Sequence, residues 1–163
     1  MSEAPHEPAL TPEQAGALVA VLDALLPRSG DGRLPGAGEL GLLGRIEGEM
    51  RKAPELAHAV RQGLAGLAAL ARGRAPGGFA ALAAQEREPL LRELAMQQPG
   101  FLPGLLFHTF AAYYQHPRVL AGLGLEPRPP FPKGYAMEAS DLDGLLEPVR
   151  RRGPHYRVLG GSD

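Results

Sequence analysis

One stretch decides how the chain folds: Phe101-Leu-Pro-Gly-Leu-Leu-Phe-His-Thr-Phe-Ala-Ala-Tyr-Tyr-Gln-His-Pro117. It contains three of the five Phe and two of the four Tyr residues. Proline suits the start of a helix and disfavours helical backbone in the residue before it. The stretch is therefore predicted to form one helix that begins after Pro99 and ends before Pro117.

Projection of this helix at about 100° per residue predicts two faces. The broad face, predicted to point into the core, consists of Leu102, Leu105, Leu106, Phe110, Tyr113 and Tyr114. His108 and Gln115 fall on the opposite, polar side. Any function in this helix is therefore expected at the two polar residues rather than at the aromatic rings.

Apolar residues that recur at helical spacing predict further helices on either side. These helices cover residues 12–26, 39–52, 54–72, 85–97 and 141–151, with a short helical turn at 79–82. Thr11-Pro-Glu-Gln14 indicates a capped start of the first helix. In the second helix, Gly41, Gly44 and Gly48 would allow another backbone to pack closely. In the last helix, Leu142, Leu145, Leu146 and Val149 are predicted to point inward.

The segment 117–139 is rich in proline and glycine, so an irregular, extended strap is expected there. The prediction is an all-α, single-domain bundle of five to six helices, with this long proline-rich strap before the last helix. Residues 1–9 are expected to be disordered, 10–157 to form the helical domain, and 158–163 to be a flexible tail.

Size and composition limit the function classes. With 163 residues the chain can form one domain with a core but is short for two. A net charge of −1 gives no attraction to nucleic acid or to an anionic membrane. The absence of cysteine excludes disulfides, thiolate catalysis and cysteine-ligated zinc.

No stretch suits a membrane span or an export signal. The longest apolar run, 101–114, is shorter than the roughly 20 residues that a spanning helix needs. The first residues are polar and lack an apolar segment, so no secretory signal is predicted. A cytoplasmic location is expected, with export only if a partner carries the chain.

Three landmarks resemble a known family. They are Leu10-Thr-Pro-Glu-Gln14 leading to Leu26-Pro27, Phe79-Ala-Ala-Leu82 followed by Leu90-Leu91, and Phe110-Ala-Ala-Tyr-Tyr-Gln-His-Pro117 followed by Gly134-Tyr135. In this order the chain resembles the gluconate 2-dehydrogenase subunit 3 family over roughly 9–136. The chain departs from the family pattern in having no twin-arginine export signal. Its segment after Pro117 also differs.

The resemblance implies a non-catalytic accessory subunit. Such a subunit binds the large subunit of a flavin-dependent sugar, polyol or alcohol dehydrogenase of the glucose-methanol-choline (GMC) type. FAD is then expected in the partner, with no cofactor in this chain. The residues predicted to contact the partner are His108, Gln115, Phe131, Lys133 and Tyr135.

Two alternatives stay open. A stand-alone ligand-binding or enzymatic domain would use His108, His116, Tyr113 and Tyr114 around a pocket. A homodimeric interaction module would use the strap or the proline-flanked helix as its interface. Glu55 and His58 form an E-x-x-H pair, as in helical di-iron proteins, but they project away from the apolar stripe of their helix, which predicts a solvated face.

Overall fold

A computed structural model describes residues 9–129, 131–134 and 140–152 of the chain. Among these residues all regular structure is helical, which confirms the all-α class. The helices are α1 (Pro12–Leu25), α2 (Leu43–Lys52), α3 (Pro54–Ala71), α4 (Ala84–Gln97), α5 (Phe101–Tyr114), α6 (Pro117–Gly122) and α7 (Leu142–Arg151). Two short 3₁₀ turns, Ala37–Leu40 and Phe79–Ala81, precede α2 and α4. The described residues thus contain seven α-helices, against the five or six that were expected.

The chain divides into two compact units. The first runs to Pro129 and holds α1 to α6, and the second begins at Pro130 and holds α7. The predicted domain limits, 10–157, stay a prediction. Apart from Ala9, the terminal segments predicted to be disordered or flexible lie outside the described residues.

The start of α1 shows how local sequence sets a helix boundary. The Thr11 hydroxyl accepts the Gln14 N–H at 3.3 Å, and the Gln14 side chain accepts the Thr11 N–H at 3.0 Å. This reciprocal pair is the predicted capping box. It satisfies backbone donors that have no partner inside the first turn of the helix.

The core lies between α1, α2, α3, α4 and α5 and is built mainly from aliphatic side chains, with the aromatic rings of Phe79, Phe101 and Tyr113. Its largest fully buried members are Phe101, Leu18, Leu22, Ile46, Met50, Leu67, Leu90, Leu94, Leu105, Val21, Val60 and Val119. Every α-helix of the first unit except α6 contributes at least two of these residues, so the core ties the unit together.

α5 packs against α2, α3, α6 and the first 3₁₀ turn. It packs tightly on α3 at Gly63, where a Cβ atom would lie 2.1 Å from the Phe101 ring. Such a distance is well inside van der Waals contact, so the ring position requires glycine at 63. Gly66 of α3 has a similar role beside Leu94 of α4, because a Cβ there would lie 2.5 Å from the leucine.

The glycines of α2 have no such role, which corrects the expectation from the sequence. A Cβ at Gly44 would meet nothing within 4 Å, and one at Gly48 would meet only the end of Arg51 at 3.8 Å. Gly41 lies before α2, in the left-handed region at φ 64°.

α6 is a further correction, because 117–122 was expected to be irregular. Pro117 occupies the first turn and the His116 side chain caps the helix. Val119 is fully buried, which anchors the helix to the core. Gly122 passes so close to the α1–α2 connection that a Cβ would lie 2.5 Å from the Arg33 carbonyl oxygen. Pro117 therefore begins a helix, whereas the sequence predicted that the prolines of this region would only prevent regular structure.

The predicted core-facing set of α5 is wrong in part, and that of α7 is wrong altogether. In α5, Phe110 and Tyr114 are exposed, whereas Thr109 and Ala112 are buried. In α7, the four residues predicted to point inward are all exposed: Leu142, Leu145, Leu146 and Val149. Both helices therefore present apolar side chains outward.

Tyr113 fixes α5 to the connection between α1 and α2. Its ring is buried, and its hydroxyl donates to the Pro35 carbonyl oxygen at 2.8 Å. Burial raises the pKa of the Tyr113 hydroxyl, and the neighbouring Tyr114 and Glu39 add to the effect. The neutral phenol is thus the form that the fold requires.

Gly63→Ala is expected to lower the free energy of unfolding by about 1–3 kcal/mol, because the added methyl overpacks the Phe101 ring. Gly48→Ala is the matched control and is expected to stabilise the chain by up to ~1 kcal/mol, because alanine favours a helix interior and the site has room. Chemical denaturation of both variants measures the difference. Equal effects would contradict the described packing of α5 on α3.

Tyr113→Phe is expected to lower the free energy of unfolding by about 1–2 kcal/mol, because it leaves the Pro35 carbonyl without its buried hydrogen-bond donor. Tyr114→Phe, at an exposed ring, should change stability by less than ~0.5 kcal/mol. Thermal denaturation of the two variants measures both values.

The stabilisation from Tyr113 should depend on pH in a defined direction. A raised pKa in the folded state means that the contribution is complete below the unfolded pKa, near 10, and is lost as the pH rises through the folded pKa. The stability difference between wild type and Tyr113→Phe should therefore shrink above about pH 10. A constant difference across that range would show that the hydroxyl is not held as described.

Candidate protein-interaction surface

α5 carries no Asp, Glu, Lys or Arg on any side, and His108 and Thr109 are its only polar side chains outside the tyrosines. Its buried side consists of Phe101, Leu105, Thr109, Ala112 and Tyr113. A helix without charge on any face is usually covered on all sides. Here packing covers only one side.

The uncovered side carries an aromatic stripe, which we define as Phe107, Phe110 and Tyr114. These residues are spaced i, i+3, i+7 and therefore share one face of the helix. Their exposed fractions are 69%, 42% and 49%. The Phe110 and Tyr114 rings meet edge-on with centroids 6.2 Å apart, within the range of favourable aromatic pairs. The stripe thus places three exposed aromatic side chains on one face of α5, two of them in contact.

A cleft of about 230 Å³ lies beside the stripe, between α2 and α5. It is lined by Arg45, Ile46, Glu49, Phe107, His108, Ala111, Ala112 and Gln115. Arg45 donates from Nη2 to the Gln115 side-chain oxygen at 3.1 Å, which joins the two helices across the cleft. The His108 ring meets the Phe107 ring edge-on with centroids 5.2 Å apart. The cleft therefore adjoins the stripe directly.

Glu49 gives the cleft a stable negative charge. It accepts from Lys52 at 2.8 Å, and this bond is the main reason that the pKa of its carboxyl lies below the usual value. The charges of Lys52, His108 and Arg45 act in the same direction, whereas partial burial opposes them. The cleft thus has groups of both signs beside an uncharged aromatic surface.

The predicted partner-contact residues fall in different places. His108 and Gln115 both line the cleft of the first unit. In the second unit, Phe131 is 85% exposed and Lys133 is also exposed. Tyr135 lies outside the described residues.

The four side chains of the enzymatic alternative are not gathered at one site. Of these four, only His108 lines the cleft. His116 accepts the Arg118 N–H through Nδ1 at 3.2 Å and so caps α6. Tyr113 is bound to Pro35, and Tyr114 belongs to the stripe. The Tyr113 and Tyr114 rings do meet edge-on, with centroids 5.2 Å apart, but neither of them lines the cleft with His108.

Glu55 and His58 both lie exposed on α3, as their projection predicted. Within the described ranges, no group of three His, Asp or Glu side chains is placed to hold a metal ion. The helices of that same part of the chain include none that is long and apolar enough to cross a membrane.

A larger groove of about 550 Å³ lies where the start of α1 and the end of α3 meet the glycine-rich connection to α4. Its lining is mostly glycine, alanine and proline, with Glu13 and Arg72 as the charged groups. Glu13 is the single carboxylate among these lining residues, and no second acid–base group and no hydroxyl accompanies it there.

The aromatic stripe was missed by sequence reasoning. The projection placed Phe110 and Tyr114 on the broad apolar face, which was predicted to point into the core. A usable signal was present, since a solvent-facing side should carry charge and α5 has none. That absence shows that projection alone could not separate a buried side of α5 from an exposed one.

The family was tested by comparison with known proteins. The model for gluconate 2-dehydrogenase subunit 3 matches residues 12–125, which include all of α1 to α6 and the aromatic stripe. No curated protein and no solved structure gives a significant match. The family match covers well over half of the chain and confirms the resemblance found in its landmarks. The chain belongs to the gluconate 2-dehydrogenase subunit 3 family.

Proposed function

We propose that the chain is a non-catalytic accessory subunit that binds and stabilises, or helps to mature, a flavin-dependent GMC-type oxidoreductase. Membership of a family named for a dehydrogenase subunit supports assembly with a dehydrogenase. The substrate of the partner would be a sugar, polyol or alcohol, and FAD would be bound by the partner. The complex would be cytoplasmic unless the partner carries an export signal.

The aromatic stripe is the observation that carries this proposal. At about 200 Å² for each ring, the exposed fractions amount to roughly 300 Å² of aromatic surface. The largest apolar patch on an ordinary soluble monomer is about 300–600 Å² and is often functional, so the stripe lies at the lower end of that range. The centres of protein interfaces are depleted in charge and enriched in aromatic residues, as the stripe is.

The adjoining cleft suits the rim of such an interface. A stable interface buries about 800 Å² on each side, so the stripe would be the centre of a larger contact. Arg45, Glu49 and Gln115 would supply polar contacts around that centre. Charges of both signs at a rim favour one orientation of the partner and disfavour others.

The placement of His108, His116, Tyr113 and Tyr114 supports an accessory role over the enzymatic alternative. Catalytic acid–base groups must lie within hydrogen-bonding reach of a common reacting centre. His116 and Tyr113 instead make structural hydrogen bonds, to the start of α6 and to Pro35.

Phe107→Glu is expected to weaken binding to the co-expressed large subunit by about thirtyfold or more, because loss of a central aromatic anchor typically costs at least ~2 kcal/mol. Met96→Glu is the matched control. Met96 is 87% exposed on α4, and the substitution gives the same charge change in a helix outside the stripe. Copurification and biolayer interferometry measure both variants.

The control should bind as wild type does, and both variants should melt as wild type does. A large subunit that is soluble and active when expressed without this chain, and that does not bind the chain when both are present, would contradict the accessory role. Equal weakening by the two substitutions would leave the accessory role standing but would remove the stripe as its binding surface.

A further inference from the structure

Two exposed arginines lie beside the aromatic stripe, near the C-terminal end of α5. Arg45 lines the cleft together with Phe107, the first ring of the stripe, and with Gln115. Arg118 follows Tyr114, the last ring of the stripe, by four residues. Four residues of chain span at most about 14 Å, so this arginine also starts close to the stripe.

Neither arginine is paired with a carboxylate in the part of the chain that the structure describes. Arg45 donates to the side-chain oxygen of Gln115 at 3.1 Å, and this amide carries no charge. Arg118 donates to His116 through its backbone N–H, which leaves its guanidinium without a described hydrogen bond. A guanidinium has five N–H donors and stays charged in proteins. Both arginines therefore have charge and donors that a second protein can use.

The carboxylates beside this end of α5 already have cations of their own. Glu49 lines the cleft but accepts from Lys52 at 2.8 Å. Glu39 lies in the 3₁₀ turn that packs against α5, and both of its oxygens accept from the Arg28 guanidinium. The charge of Arg118 also reaches Glu39, but more weakly than that of Arg28. The two arginines beside the stripe are thus a surplus of positive charge.

We propose that the surface that covers the aromatic stripe is acidic: the partner dehydrogenase subunit takes the rings in an apolar hollow and presents carboxylates to Arg45 and Arg118. This inference rests on the proposed function and names the chemistry of the partner's face. A carboxylate matches the planar donors of arginine with two parallel hydrogen bonds. Opposite charges around an apolar centre speed the encounter and fix the register of the two surfaces.

Charge argues against a second copy of the chain as the cover. A twofold interface brings the same patch of both copies together. Contact of stripe with stripe would therefore bring the surplus arginines of one copy towards those of the other, and the juxtaposition of equal charges costs affinity.

α7 of the same chain does not supply the complementary charge either. Its carboxylates belong to Asp143 and Glu147, which accept from Arg150 and Arg151 at 2.9 Å each. Both carboxylates are therefore already engaged within the helix.

The number of charges argues against an anionic lipid surface. Segments that recognise such surfaces carry clusters of about four to eight Lys or Arg residues. The surplus beside the stripe is two arginines, with the carboxylates of Glu39 and Glu49 next to them. Two guanidinium groups at fixed positions suit individual carboxylates on a protein better than a layer of headgroups.

The test measures how fast the full-length chain associates with the immobilised flavin-dependent large subunit, at low and at high salt, by biolayer interferometry. Arg45→Gln/Arg118→Gln removes the two positive charges. Arg45→Lys/Arg118→Lys keeps the charges but loses the planar guanidinium groups. Melting temperatures of the free chains show whether each variant is folded.

Arg72→Gln/Arg74→Gln is the matched control, with the same change of net charge at another exposed place. A Cβ at Gly63 would meet Phe101, and one at Gly104 would meet Leu56, so α3 runs in the opposite direction to α5. The end of α3, where the control arginines lie, is therefore remote from the C-terminal end of α5.

We expect the glutamine variant of Arg45 and Arg118 to associate at least about fivefold more slowly than wild type at roughly 50 mM salt, because complementary charge raises the association rate. The difference should fall below about twofold at roughly 1 M salt, where the screening length is about 3 Å. The lysine variant and the control should both stay within about twofold of wild type, and all free chains should melt alike.

Wild-type association of the glutamine variant at both salt concentrations would overturn the inference and leave the proposed function intact. Equal slowing of the lysine and glutamine variants would overturn it as well, because charge would then not be the cause. If the wild-type chain binds no flavoprotein, the proposed function and this inference both fail.

Two results on the free chain would also overturn the inference by giving the stripe another cover. One is a dimer in light scattering that Phe107→Glu dissociates, which would assign the stripe to a second copy. The other is binding to vesicles of phosphatidylcholine with phosphatidylserine that the glutamine variant loses, which would assign the arginines to a lipid surface.

Discussion

The contact between Gly63 and the Phe101 ring sets the position of α5, and the rest of the first unit depends on it. Because residue 63 has no side chain, the ring lies directly against the α3 backbone. Tyr113 fixes the other end of α5 through its bond to Pro35. With both ends held, the helix cannot rotate, and its opposite face must point outward. A constraint deep in the core thus creates the exposed aromatic stripe.

The sequence predicted most helices because their signals are local. The Thr11 capping box and the prolines at positions 12 and 54 mark helix starts that the structure confirms. The rotation of α5 could not be predicted in the same way. Periodicity identifies a buried face most clearly when the other face is charged, and α5 has no charged residue on any face. Its orientation depends on Gly63, which lies far away in sequence.

α6 and α7 show two other limits of sequence reasoning. The prolines between 117 and 132 suggested an extended strap, but Pro117 suits the first turn of a helix and begins α6. The spacing of the α7 leucines correctly predicted an amphipathic helix. It could not say whether the apolar face meets the same chain or another one, because burial against either selects the same pattern. The family resemblance named a partner class that neither pattern could supply.

The central claim is that the aromatic stripe is covered by a flavin-dependent dehydrogenase subunit. Hydroxyl-radical footprinting with mass spectrometry tests this claim most directly, because it measures the solvent exposure of each aromatic ring through the extent of labelling. The account predicts that Phe107, Phe110 and Tyr114 are labelled in the free chain and strongly protected in the complex, while Met96 is labelled equally in both. Equal labelling of the three rings with and without the large subunit would contradict it.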